Sequence, residues 1–328
     1  MRKVLLLLAG KALRLAALLA ALCAFSFWLV SHSPVDPVRA YVGADMLLVG
    51  PEQRERIAEY WGLNDPPGER FLRWSEAMLR GDFGTSMIFR RPVAEVIGER
   101  FYASLLLMGM AWVLSGVCGF ALGVAAGARQ GTWIDGIIKW YCLTMASTPV
   151  FWLAIVLLMV FAVWLGWAPV GLAVPVGTLA GEVTLADRIR HMVLPAITLS
   201  IVGVSSVALF TRQKVVDALA SEYVLFARAK GEPETAILWR HVLRNVALPA
   251  VTLQFAVFSE LFGGSVLAEQ VFSYPGLGQA IVQAGLRGDI PLLLAAVMCG
   301  AVFVFVGNLL ADVIYSIVDP RIRLGKLA

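Results

Sequence analysis

The sequence predicts an all-α integral membrane protein. It has six transmembrane helices, an extracytoplasmic helical subdomain between the first and second, and a short cytoplasmic helical segment between the fourth and fifth. Three observations carry that prediction. Hydrophobic residues make up 59% of the chain and charged residues 15%, against roughly 45–50% and about 25% in soluble domains. Uncharged stretches of about 20 residues recur, the length needed to cross about 30 Å of hydrocarbon. Lysine and arginine gather in the short connections on one side of those stretches, as cytoplasmic loops do.

The net charge of +4 is small and the basic residues form no blocks, so a nucleic-acid surface is excluded. The four cysteines, Cys23, Cys118, Cys142 and Cys299, all sit in apolar stretches without metal-site spacing, and they read as small buried residues. No metal site and no cofactor is expected.

The first span runs from about Val4 to Val30, with Lys3, Lys11 and Arg14 able to reach the cytoplasmic headgroups. Lys11 and Arg14 interrupt the apolar run and no Ala-x-Ala site follows, which favours a retained helix over a cleaved signal peptide. Residues 31–100 are polar and punctuated by Pro34, Pro37, Pro51, Pro66 and Pro67, with an amphipathic stretch near Glu52 to Trp61. They read as an external subdomain of short helices. Its arginines do not contradict that placement, because long loops translocate regardless of charge.

Residues 101–328 hold the remaining spans. Phe101 to Ala128 carries no charge and forms the second, and the basic connection Arg129 to Lys139 returns the chain to the cytoplasm. A third uncharged stretch starts at Trp140 and ends near Trp167, where Gly166, Pro169, Gly171 and Pro175 break it. Met192 to Thr211 is the fourth span, Val246 to about Glu269 the fifth, and Ile290 to about Val318 the sixth. Arg212, Lys214, Arg228, Lys230, Arg240 and Arg244 lie between spans four and five, while the single arginine of Ser273 to Asp289 is balanced by Asp289. Six spans with that bias place both termini in the cytoplasm.

Residues 217–249 read as helix, glycine turn, helix. Gly231 can take positive φ and end the first helix, and Pro233 suits a first helical position with Glu232 and Glu234 complementing the dipole. Ala227 and Ala229 leave a slim surface for close approach, ringed by Arg228, Lys230, Arg240 and Arg244. A rigid docking knuckle is the expectation.

The run Glu222-Tyr223-Val224-Leu225-Phe226-Ala227-Arg228-Ala229-Lys230-Gly231, followed by His241-Val242-Leu243-Arg244-Asn245 and Leu248-Pro249, resembles the EAA signature of ABC importer permeases. Its variant is similar to that of the dipeptide, oligopeptide and nickel permease family. Leu225 stands where the general signature opens with an acid, and the stretch from Gly231 to Pro249 is longer than in sugar permeases, as in the peptide and nickel members. Further similar stretches are Gly81 to Ser86 with Arg91-Pro92-Val93, Phe272 to Gly278, and Asp319-Pro320-Arg321-Ile322-Arg323.

The resemblance implies a non-catalytic subunit in a bacterial inner membrane. It would pair with a second, homologous permease, two cytoplasmic ABC ATPase subunits and an extracytoplasmic substrate-binding protein, with membrane lipid around it. The ATPase-docking residues would be Glu222, Tyr223, Ala227, Arg228, Ala229, Lys230, Gly231, His241, Arg244 and Asn245. No phosphate-binding loop precedes Gly10-Lys11 or Gly325-Lys326, and no HExxH or Gly-x-Ser-x-Gly occurs, so hydrolysis would belong to the partner.

Glu260, beside Gly263 and Gly264 in the fifth span, is the candidate for the translocation path, since an acid in a span faces a pathway or a partner helix. The packing alternative is equally weighted. Phe258 to Gly264 and Pro149 to Ala154 resemble nickel permeases, which favours nickel or a metal chelate over di- or oligopeptides. Glu269 is expected at the outer edge, His191 and His241 in structural roles, and Asn308 with Asp312 on one packing face. A secondary transporter should show paired broken helices, and an enzyme a cluster of reactive groups; neither these nor a receptor has a supporting motif here.

Overall fold

A computed structural model describes residues 2–32, 50–60, 64–175, 177 and 182–318. Among them the secondary structure is helical, apart from one isolated bridge between Thr85 and Pro92. The expected Asp319 to Arg323 motif, Trp61 and the first external prolines lie outside the described residues.

The chain divides into two compact units. One comprises Met1–Ser104 with Pro275–Phe305; the other comprises Leu105–Tyr274 with Val306–Ala328. The grouping follows which stretches of backbone lie close together, which hydropathy does not report.

The first unit contains α1 (Arg2–Ser31), α2 (Pro51–Tyr60), α3 (Pro67–Leu79), the start of α4 (Val93–Ala128), α12 (Leu277–Arg287) and the start of α13 (Ile290–Val318). Its core joins Val93 and Val96 of α4 to Ala284 of α12 and Leu292 of α13, with Phe83 and Phe89 packed against them. A second cluster places Phe27 of α1 with Phe71 of α3, Ile290 and Leu294. Gly288 ends α12 in the left-handed region at φ 72°, a conformation that favours glycine. Asp289 then caps α13 by accepting from the Leu292 N–H at 3.2 Å.

The buried Asp289 carboxylate also draws in the preceding loop of that unit. Ser86 donates its hydroxyl to Oδ2 at 2.5 Å and Ile88 its N–H at 3.1 Å. Burial pushes this carboxyl above the ordinary value of 3.8 in spite of those donors.

The second unit is built on α4, α5 (Trp133–Ala146), α6 (Val150–Leu157, continuing in π turns to Trp164), α7 (Leu185–Leu219), α8 (Glu222–Ala229), α9 (Glu234–Ile237), α10 (Leu243–Ala256) and α11 (Glu260–Val271). α4 and α7 approach to backbone distance. A Cβ on Gly119, Gly123 or Gly127 would lie 2.5–2.7 Å from Val207, Thr211 or Val215 of α7, the close packing that small residues permit in membranes. α5 is tied to α7 by the fully buried Asp135, whose oxygens accept from Arg212 Nε at 2.6 Å and Nη2 at 2.8 Å. The turn before α5 adds the Gly131 N–H at 3.0 Å.

Among the described residues three helices, Val93–Ala128, Leu185–Leu219 and Ile290–Val313, are long and apolar enough to cross a membrane, and up to five such spans result if each bent pair counts as one. The third expected span is bent by 107° between Trp133–Ala146 and Val150–Trp164, and the fifth by 58° between Glu234–Ala256 and Glu260–Val271. The first contributes an apolar stretch at Leu13–Leu29. Pro149, which begins α6 from an extended conformation (φ −62°, ψ 133°), accounts for the first bend.

Candidate docking segment and translocation helix

The segment after α7 folds upon a small apolar core shared with α4, α7 and α10. Val224 and Ala227 of α8 pack with Val215 of α7, Ile237, Val242 and Val246. The spacing of Val224 and Ala227 puts both on one face of α8, and the neighbours between them point outward. Ala227 is therefore a core residue at 3% exposure, which corrects the expectation that it offers a slim surface for a partner. Ala229 is exposed and retains that possibility.

Gly231 turns the chain at φ 80°, with its N–H donating to the Arg228 carbonyl at 2.9 Å. Pro233 is extended (ψ 147°) and stands one residue before the first helical position, so α9 begins at Glu234. The two glutamates do more than complement a dipole. Glu234 accepts a forked bond from Arg228 (Nε to Oε1 2.6 Å, Nη2 to Oε2 3.1 Å), and Glu232 lies 3.1 Å from His241 Nε2. The Arg228 hydrogen bond holds the Glu234 carboxyl below its usual range. These contacts fix the angle across the turn with exposed groups whose net value is small.

The outward face carries Glu222, Tyr223, Lys230, Arg244 and Asn245. Asn245 is turned back on its own helix, donating to the His241 carbonyl at 2.9 Å. Leu225, noted in the sequence only as a departure from the signature, and Phe226 and Trp239, not singled out there, are exposed by 55%, 63% and 73%. Lys230 Nζ stands 4.4 Å over the Phe226 ring. The signal for them was available: apolar residues in a connection outside the spans, off the register of the buried Val224 and Ala227.

Glu260 opens α11 and is exposed, directly after the break in the fifth expected span. Its carboxylate stands at a helix start, where backbone N–H groups favour negative charge. Gly263 faces open space, whereas a Cβ on Gly264 would come within 2.9 Å of Leu199 Cδ1, so Gly264 serves the packing of α11 on α7. Glu269, expected at an outer edge, is completely buried. His191 is also buried, with Nδ1 2.8 Å from the Asp187 carbonyl oxygen. Among the described residues there is no group of three or more His, Cys, Asp or Glu able to hold a metal ion.

Residues 119–324 match the family described as the binding-protein-dependent transport system inner membrane component. The chain is 38% identical over 299 residues to the oligopeptide transport system permease protein AppB of Bacillus subtilis (strain 168), covering 91% of this chain and 93% of that protein. It is 36% identical over 301 residues to the glutathione transport system permease protein GsiC of Salmonella typhimurium, covering 90% and 92%. The Escherichia coli (strain K12) GsiC is 35% identical over the same length, again at 90% and 92%.

Proposed function

Since the chain belongs to the family of binding-protein-dependent transport inner membrane components, as an ABC importer permease of the peptide group, we propose that it forms half of a peptide translocation pathway. A second, homologous permease would supply the other half. Two cytoplasmic ATPase subunits would grip the docking segment, and an extracytoplasmic binding protein would deliver substrate. Six crossings with both termini in the cytoplasm complete this reading, with lipid against the exposed apolar faces.

One observation carries it: the helix, glycine turn and helix between α7 and α10 form a knuckle seated on a buried core shared with α4, α7 and α10. Apolar and basic groups on that knuckle stay exposed for a partner. Tyr223, Phe226, Ala229, Lys230, Trp239 and Arg244 are the proposed contacts, while Glu222, Arg228, Gly231, His241 and Asn245 shape the knuckle. Movement at this handle would pass into α7 and α10, and the chemistry would remain with the ATPase.

The substrate we propose is a di- or oligopeptide, or a small peptide such as glutathione. The named relatives are oligopeptide and glutathione permeases, and the expectation of nickel draws nothing from them. Glu260 and the open side of Gly263 would line the path, placing a carboxylate where a peptide ammonium could pass; Gly264, drawn into packing, is the weaker candidate of the three.

The test is uptake of labelled trialanine, glutathione and nickel by cells carrying the intact importer, with ATP hydrolysis measured on the purified complex. Gly231→Val, which forces a branched residue into φ 80°, should cut peptide uptake at least about tenfold while the protein still inserts. Peptide uptake that needs no ATPase, or that survives Gly231→Val unchanged, would overturn the proposal.

A further inference from the structure

The break in the fifth expected span contains neither glycine nor proline, yet the helix ladder stops there. The Phe258 N–H donates to Phe255 at 3.2 Å and the Glu260 N–H to Val257 at 3.1 Å, one residue short of the α-helical step. The carbonyl of Gln254 thereby loses its helical donor. Trp112 of α4 takes it, donating Nε1–H at 2.8 Å. Gln254 returns the bond, its Nε2 donating to the Trp112 carbonyl at 2.6 Å and to Ser115 Oγ at 2.9 Å. A side chain inserted into the ladder is a recognised cause of a kink.

The far side of the break is held by a different helix. Ser259 donates its hydroxyl to Asn308 Oδ1 of α13 at 2.8 Å. Phe258, between the two attachments, meets the Trp112 ring edge-on at 6.0 Å. On its other side Gly307 is bare, and a Cβ there would lie 3.4 Å from Phe258 Cδ1.

Two features distinguish this arrangement from ordinary packing. Gln254 Oε1 is buried and finds no hydrogen-bond donor among the described residues, so the clamp leaves one polar atom unsatisfied. An apolar cleft of about 340 Å³, lined by Trp112, Gly116, Phe120, Val207, Val251 and Gln254, opens beside α10. The α10 side of the break therefore has room to shift, and an unpaired acceptor that a shift could satisfy.

We infer that Val257–Ser259 is a hinge in the translocation helix and that Gln254 and Asn308 are its positioning residues, one latch on each side. Displacement of the docking segment reaches α10 directly, because α9 and α10 run on from one another through the turns at Leu238–Val242. The hinge converts that displacement into a change of angle between α10 and α11, which carries Glu260. The inference rests on the permease reading above.

The experiment uses the intact importer, purified from its host membranes through this chain and reconstituted in nanodiscs. Genetically encoded spin labels replace Leu248 and Leu267, exposed residues of α10 and α11. The distance between them should change when ATP and vanadate are added. Ser259→Ala, which loses one hydrogen bond, should lower trialanine uptake about tenfold, and Gln254→Met, which loses two, at least as much. ATP hydrolysis should hold within about twofold, a split that a merely unstable protein would not show. Ser259→Thr, which keeps the donor, should restore uptake. If the wild-type complex hydrolyses ATP and transports trialanine while the label distance stays fixed and both variants transport normally, the hinge is refuted and the permease reading stands. If no ATPase accompanies the chain, both fail.

Discussion

The two units each bury an aspartate completely, and they compensate it in opposite ways. In the second unit, Asp135 faces the guanidinium of Arg212 through two bonds of 2.6 and 2.8 Å. In the first, Asp289 is held by a serine hydroxyl and the N–H groups of Ile88 and Leu292. The first arrangement balances charge with charge, and removing either partner strands the other in a site where ionisation is costly. The second distributes neutral donors around a carboxyl whose ionised form burial disfavours. Asp135 thus joins two helices, α5 and α7, as one half of an ion pair, whereas Asp289 gathers the loop at Ser86 and Ile88 as a multiple acceptor. Burial alone does not say what a carboxylate does; its donors do.

Substitution should separate the two sites sharply. Asp135→Ala leaves Arg212 without its partner and should destabilise the second unit by about 3 kcal/mol, measured as thermal unfolding in detergent. Arg212→Met in the same chain should recover much of that loss, since the stranded charge is then gone. Failure of the double variant to improve on the single would mean that the pair acts through something other than charge balance.

Asp289→Asn should cost about 1 kcal/mol or less at neutral pH, because a neutral amide still accepts part of the same set. The informative readout is its pH dependence. A carboxyl raised in the folded state binds its proton more tightly there than in the unfolded chain. Its contribution is therefore complete below 3.8 and is lost as pH rises through the raised value. The wild-type protein should lose stability over that window, and Asp289→Asn should not. Parallel curves for the two proteins would contradict a buried, neutral-donor site.

The smallest expected effect on stability belongs to the forked pair of Arg228 with Glu234, which is exposed on both sides. Arg228→Ala should leave the unfolding temperature unchanged within error while lowering peptide uptake, because the pair sets the angle of the knuckle. A clear drop in unfolding temperature would move Arg228 from docking geometry to fold maintenance.

Much of this was legible in the residues. The positions of the apolar stretches, the turn at Gly231 and the helices on either side of it follow from composition and local conformational preference, whereas Asn308, expected on a packing face, is exposed and accepts from Ser259. The burial of Ala227 was not legible, because the slim surface of an alanine suits a core and an interface equally. Neither was the break at Val257–Ser259, which has no residue that breaks helices; Trp112, distant in the chain, donates to the Gln254 carbonyl that the break leaves without its helical donor. The expected nickel preference came from short stretches of resemblance around Glu260 and Pro149, while similarity over about nine-tenths of the chain leads to peptide and glutathione permeases.

By itself the sequence determined that this chain belongs in a membrane, which connections carry positive charge, and where a rigid turn must fall. Those properties are sums over neighbouring residues, and hydration and backbone sterics act on them locally. Tertiary structure alone decided which cation meets Asp135, which loop closes on Asp289 and which indole meets the Gln254 carbonyl. Such partners are separated by 77, 203 and 142 positions, and a hydrogen bond across that distance exists only once packing has brought donor and acceptor within about 3 Å.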